Sequence, residues 1–171
     1  MTTIRIAPAD TAHLGEIPRI ELAAATLFSE ADLPSAVRYK VTEPTDLREA
    51  LQQNRLWVAL TREDEIIGFS MADIVDDQAY LVEVDVLPDY SRQGIGTKLI
   101  GAVIQWARSQ GFDTLWLVTF CHLPWNAPFY ERLGFSVVDP AEHGAELASL
   151  IEEEAQVGID IDNRVAMRIS C

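Results

Sequence analysis

Between Tyr80 and Phe120 the chain changes its periodicity twice. Tyr80 to Leu87 (YLVEVDVL) alternates like a strand, and a helical stripe of Leu99, Ile100, Val103, Ile104 and Ala107 then runs from about Gly94 to Gln110. Gly111 closes the helix, and Asp113 to Phe120 (DTLWLVTF) is extended again. A strand, a helix and a strand in that order fit a compact domain as a parallel pair joined by a crossover. This βαβ unit restricts the fold more than any other feature.

The flanking segments add antiparallel elements. Leu56 to Leu60 (LWVAL), the polar turn TREDE, Ile66 to Ile74, the pair Asp76-Asp77 and the strand from Tyr80 read as a three-strand meander. Thr3 to Ala7 (TIRIA) is a short strand and Asp10 to Phe28 a helix interrupted near Gly15 and Pro18. Thr45 to Asn54 is a helix that follows the capping-like Glu43-Pro44-Thr45. Downstream, Asn126 to Leu133 forms a short helix ended by Gly134, followed by a strand over Phe135 to Val138. Residues 141 to 156 form an acidic helix or a long excursion, and Arg164 to Ile169 (RVAMRI) a last strand. The expected class is α/β, a mixed, mostly antiparallel central sheet flanked by helices. No repeat, low-complexity tract or linker divides the 171 residues, so 1–171 is expected to be a single domain with one sizeable core.

Charge narrows the function classes. Lys and Arg number 13 against 27 Asp and Glu, a formal net charge of -14. Nucleic-acid binding is not expected of a chain without a basic footprint, and the acidic balance is either a solubility coat or a mild preference for cationic acceptors. Cys121 and Cys171 lie in no zinc-like spacing, so no metal is expected. The opening MTTIRIAPAD has no basic-then-apolar signal, and no run approaches the roughly 18 apolar residues of a membrane span. A cytoplasmic protein without a membrane partner is expected.

Gly94 and Gly96 stand where a helix begins, although glycine is a poor helix former. A helix start presents unpartnered N–H groups and the positive end of the macrodipole. Without Cβ atoms at 94 and 96, a phosphate can lie directly on the amides of residues 92 to 97, with Arg92 and Lys98 supplying countercharge. Neither common nucleotide motif fits: GIGTK has the wrong spacing for a phosphate loop, and Leu99 replaces the third glycine of a dinucleotide fingerprint.

The string VDVLPDYSRQGIGTKLI, followed about 30 residues later by NAPFYERLGF, resembles the GCN5-related N-acetyltransferase (GNAT) family. The matching pieces are Val86-Leu87-Pro88, Gly94-Ile95-Gly96, the helix to Gln110, the strand Leu115 to Phe120, and the run Tyr130 to Phe135. The resemblance covers about 60 residues. It implies the acyl-CoA N-acyltransferase fold and an enzyme that takes acetyl-CoA as co-substrate and acetylates an amine by direct transfer. A small-molecule or amino-acid-like primary amine is the expected acceptor. Acetylation of a protein or peptide and a non-catalytic acyl-CoA sensor are the alternatives. The sequence departs from the family pattern at Ser91, with Arg92 displaced by one, and at Leu123, where many members carry Asn. A homodimer is compatible with the resemblance.

Site residues carry over position by position. The resemblance places the pantetheine along Val84, Asp85 and Val86, with an N–H near Val86 polarising the thioester carbonyl, and the diphosphate on Arg92, Gln93, Gly94, Ile95, Gly96 and Thr97. It makes Tyr130 the general acid, and a phenol of pKa about 10 suits protonation of a thiolate whose thiol has pKa about 8 to 9. Strand parity puts Glu83 and Asp85 on one face of a central strand; that face either opens into the active cleft, with Glu83, and Asp85 second, as candidate base or substrate ligand, or is a solvated end of the sheet. Asn126 either caps the short helix or touches the cofactor. Glu21 is an acceptor-side carboxylate or an exposed helix charge, and Trp125 walls the acceptor pocket or packs in a core or interface. His122 is a weaker base candidate, and Cys121 shows no sign of activation as a nucleophile.

Overall fold

The computed structural model describes residues 4–171, so Thr3 of the expected first strand lies outside the described residues. The strands are β1 (Arg5–Pro8), β2 (Leu56–Leu60), β3 (Ile66–Val75), β4 (Gln78–Val86), β5 (Thr114–Phe120), β6 (Ser136–Val137) and β7 (Arg164–Ser170). The helices are α1 (Ile17–Ala25), α2 (Ser35–Arg38), α3 (Pro44–Gln52), α4 (Ile95–Ser109), α5 (Ala127–Arg132) and α6 (Ala145–Gln156). Strand neighbours run β1-β2-β3-β4-β5-β7-β6. β4 and β5 pair in parallel at Ala79↔Leu115 and Tyr80↔Trp116, as the βαβ reading predicts. The pairs β1–β2, β2–β3, β5–β7 and β6–β7 are antiparallel. The mixed, mostly antiparallel α/β class is therefore observed.

The chain forms two compact units, one from the described part of Met1–Asp73 with Leu81–Trp106, the other from Ile74–Tyr80 with Ala107–Cys171. In the first, Ile17 and Ile20 of α1 and Leu47 of α3 pack with Leu56, Val58, Ile66 and Phe69. Full burial of such side chains contributes roughly 1.5–3 kcal/mol each before the cost of ordering them. β2 is buried at all five residues and so shows no alternation.

The expected helix over Asp10 to Phe28 is corrected to Ile17–Ala25. Pro18 has no N–H and a fixed φ, which suits it only to the first helical turn. Before it the chain runs through turns, with His13 N–H donating to Asp10 O and Glu16 N–H to His13 O. The stretch from Ser29 to Val41 contains the one-turn α2, whose Arg38 guanidinium donates to Phe28 O at 2.5 Å.

In the second unit, the uncertain segment after residue 140 resolves as helix α6. Its start is capped from far away in sequence. The two-residue turn Asp76-Asp77 joins β3 to β4 with both residues at positive φ, the type I′ signature. The Asp76 carboxylate accepts from Glu146 N–H (3.0 Å) and Leu147 N–H (2.9 Å), while Asp76 N–H donates to Glu146 Oε2 (2.5 Å). These reciprocal bonds reproduce a capping box across two chain segments. A Cβ at Gly144 would overlap the Asp76 carboxylate, so the close approach depends on glycine there. At the other end of α6, Glu154 accepts two bonds from Arg164, at 2.7 and 2.8 Å, and the Arg164 guanidinium lies over the Phe120 ring.

Candidate functional site

The glycine turn belongs to the first unit. After β4 and a single turn at Pro88–Tyr90, Arg92 (φ +56°) and Gly94 (φ +76°) both adopt left-handed backbone before α4 starts. Ile95 is buried and anchors the first helical turn. Lys98 N–H donates to Gly94 O at 3.2 Å, so the amides of Gly94 through Thr97 precede the helical ladder and need another acceptor. A Cβ at Gly94 would meet nothing within 4 Å. The glycine therefore serves the backbone conformation and leaves the outside of the turn open, an arrangement that fits a diphosphate lying on the amides. Arg92, Gln93 and Thr97 are exposed beside it, and Gly96 is half-buried within the helix.

Behind the turn, Gly68 of β3 holds the backbone of β4 in place. A Cβ there would lie 2.8 Å from Asp85 O and 3.3 Å from Val86 Cγ2, and Leu87 N–H donates to Ile67 O at 2.9 Å. β3 thus comes close to the segment Val84 to Val86 because residue 68 has no side chain. Sequence reasoning missed Gly68. The signal was a glycine inside the otherwise bulky strand IIGFSM.

Three carboxyl groups gather in the same unit. Glu21 is only 6% exposed, so the reading of an exposed helix charge is overturned. It shares the buried face of α1 with Ile17, Ile20 and Ala24, the i, i+3, i+4, i+7 stripe of an amphipathic helix. Its Oε1 accepts from Thr42 N–H (2.9 Å) and Thr42 Oγ (2.6 Å), and the Thr42 hydroxyl also stands 3.5 Å from Glu83 Oε2. Thr42 had no sequence signal, because its partners lie 21 and 41 residues away. The half-buried Glu83 and Asp85 point the same way, as strand parity predicts. Desolvation pushes the Glu83 carboxyl well above the usual range, and the neighbouring Asp85 and Glu21 push it further. Asp85 is raised to about 7, chiefly by desolvation, against a bond with Glu83 that lowers it. Such a pair titrates together and holds a proton near neutral pH.

The tyrosine helix belongs to the second unit. α5 ends in a Schellman motif: Phe135 N–H donates to Tyr130 O (3.1 Å), Gly134 N–H donates to Glu131 O (2.9 Å), and Gly134 has positive φ. The hydrophobic contact that accompanies such a motif is Tyr130 against Phe135, their ring centroids 5.6 Å apart at 71°. Phe129 packs edge-on from the other side at 5.2 Å. The spacing Tyr-x-x-x-Gly-Phe thus fixes the half-buried phenol ring.

Asn126 occupies the N-cap position, but its side chain makes no cap bond. Its Oδ1 accepts instead from the buried Thr119 hydroxyl of β5 at 2.7 Å, which leaves the amide nitrogen as a donor for another acceptor. Trp125 is 46% exposed, which removes the core reading for it. Cys121 is exposed, and His122 lies edge-on to Phe120. No cluster of His, Cys, Asp or Glu among the described residues is arranged to hold a metal ion, and no helix among them is long and apolar enough to cross a membrane.

Comparison with known proteins follows the same lines. The sequence model described as "Acetyltransferase (GNAT) family" matches residues 23–135. The chain is 35% identical over 77 residues to the [Ribosomal protein bS18]-alanine N-acetyltransferase of Escherichia coli K12, an alignment covering 45% of this chain and 52% of that one. It therefore spans about half the length of the curated relatives it matches. Among solved structures, the ribosomal-protein-S18-alanine N-acetyltransferase of Escherichia coli superposes with a TM-score of 0.66 at 19% identity, over 98% of this chain and 94% of that one. The PaiA N-acetyltransferase of Thermoplasma acidophilum, in complex with coenzyme A, gives 0.70 at 18% identity over 99% of both chains. At those identities the likeness concerns the fold.

Proposed function

This chain belongs to the Acetyltransferase (GNAT) family, and from that premise we propose that it moves an acetyl group from acetyl-CoA to the primary amine of a small-molecule or amino-acid-like acceptor. The observation that carries the proposal is the group of Glu21, Glu83 and Asp85, three carboxyl groups with no cation beside them among the described residues. An ammonium acceptor supplies the missing positive charge. The same pair, Glu83 with Asp85, then takes the proton that the nitrogen must lose before it can attack.

The amides from Arg92 to Thr97 hold the diphosphate, with Asn126 as a further cofactor contact, and the backbone of Val84 to Val86 aligns the pantetheine. An N–H near Val86 polarises the thioester carbonyl. As the neutral amine forms its bond to the carbonyl carbon, Glu83–Asp85 keeps the proton. When the carbon–sulfur bond breaks, the Tyr130 hydroxyl protonates the thiolate, and the phenolate recovers its proton, through water, from the nitrogen, which sheds its second proton as it becomes an amide; the proton on Glu83–Asp85 then leaves to solvent. The products are an N-acetyl amine and coenzyme A with a free thiol. Glu21 and Trp125 form part of the acceptor side. The chain acts as a cytoplasmic enzyme.

A second reading, acetylation of a protein N-terminus, rests on the relatives named for ribosomal protein bS18 alanine. Thiol release from acetyl-CoA, measured over amines, amino acids and alanine-terminated peptides, separates the two. Small amines are expected to turn over, and activity confined to peptides would replace the first reading with the second. Tyr130→Phe is expected to lower kcat about 10²-fold or more with coenzyme A affinity unchanged. An unchanged kcat would remove Tyr130 from the mechanism.

A further inference from the structure

Glu21 has one oxygen accounted for and one that is not. Thr42 donates twice to Oε1, whereas the buried Oε2 has no hydrogen-bond partner. That oxygen belongs to a carboxyl group in direct contact with the carboxyl group of Glu83, with Asp85 next to it. Two carboxyl groups can face each other out of water only with a proton or a cation between them. In the resting protein, a proton on Glu83 meets that need. During acetyl transfer it does not suffice, because Glu83 and Asp85 must give up proton occupancy to accept the proton that leaves the acceptor.

The reacting nitrogen cannot serve as the lasting counterion of Glu21, since it is neutral when it attacks. A second ammonium on the same acceptor keeps its charge while the reacting nitrogen is neutral, and so stays available to the unpartnered Glu21 Oε2 throughout the transfer. Resting on the acetyltransferase reading above, we propose that the acceptor is a short diamine, that Glu21 Oε2 anchors its non-reacting ammonium, and that Thr42 is the positioning residue that aims this oxygen. Diamines are also drawn to the surface by the net charge of -14.

The test compares kcat/KM for 1,4-diaminobutane and butylamine by thiol release, with peptides of sequence Ala-Lys-Gly and Ala-Leu-Gly as a second arm. The wild-type enzyme is expected to prefer the diamine by at least about tenfold, mostly through KM. Glu21→Gln should bring the ratio close to one. Thr42→Val should lower it part of the way and Thr42→Ser restore it, a pattern that a purely structural threonine would not give. A wild-type ratio near one, or a ratio unaffected by Glu21→Gln, overturns the anchor. A preference for the lysine peptide with no small diamine turned over overturns the diamine. Calorimetric coenzyme A binding without thiol release on any acceptor defeats the transferase reading itself, and is told apart from the other failures because no ratio then exists.

Discussion

Carboxylates withdrawn from water occur in both units, and they are compensated in opposite ways. In the second unit, Glu154 receives a forked pair of bonds from Arg164, and Asp76 receives two N–H groups at the start of α6. In the first, Glu21, Glu83 and Asp85 stand together, and Thr42 donates to Glu21. A buried acid with its counter-charge holds architecture together. Acids crowded without one store repulsion that a cationic ligand can relieve, which is the usual trade of stability against activity.

Removing a charge should therefore have opposite signs in the two units. The largest stability change is expected for Arg164→Leu, which strands Glu154, and urea unfolding should show a loss of about 3 kcal/mol. A loss below about 0.5 kcal/mol would place this pair with weak surface ion pairs and erase the contrast. Glu83→Gln should lower kcat/KM about 10²-fold while raising stability by up to about 1 kcal/mol. A destabilised Glu83→Gln protein would mean that the cluster is structural after all.

The pH dependence sharpens the same point. Asp85 titrates at about 7 in the folded protein against an ordinary value of 3.8. Between those values the folded state binds more protons than the unfolded one, so this contribution to stability is complete below about pH 4 and is lost as pH rises through about 7. Asp85→Asn should flatten the fall of Tm over that window. Activity runs the other way, with kcat/KM rising through about pH 7 as the pair becomes able to accept a proton. The smallest effect is expected for Gly94→Ala, where the left-handed backbone costs about 1 kcal/mol and weaker coenzyme A binding should accompany it. Unchanged calorimetric affinity would show that the turn does not hold the diphosphate.

Local spacing carried most of the fold and part of the candidate site. LWVAL and RVAMRI each read correctly as strands, and the glycines at 94, 111 and 134 marked the ends of helices because their backbone angles exclude most other residues. The run from Tyr130 to Phe135 was legible for the same reason, as one helix terminus with its own internal bonds. Glu21 could be found on the apolar stripe of α1, but its burial depends on which strand that stripe covers. Thr42 and Gly68 act across long sequence separations, through one hydroxyl and one missing side chain, and no local pattern records either. The helix start before Ile17 was misplaced because the period of apolar residues continues upstream of Pro18 while the backbone does not.

The hairpin at Asp76-Asp77 also ties together two stretches that lie far apart in the chain. α6 takes its N-terminal cap from a turn 70 residues earlier, so about 1 kcal/mol of the stability of its first turn depends on that hairpin. The two segments are far apart in the chain, so the bonds between them form only when both are in their folded positions and link the stability of the helix to that of the bend. Damage at a two-residue bend would thus surface as a failure to recruit a distant helix.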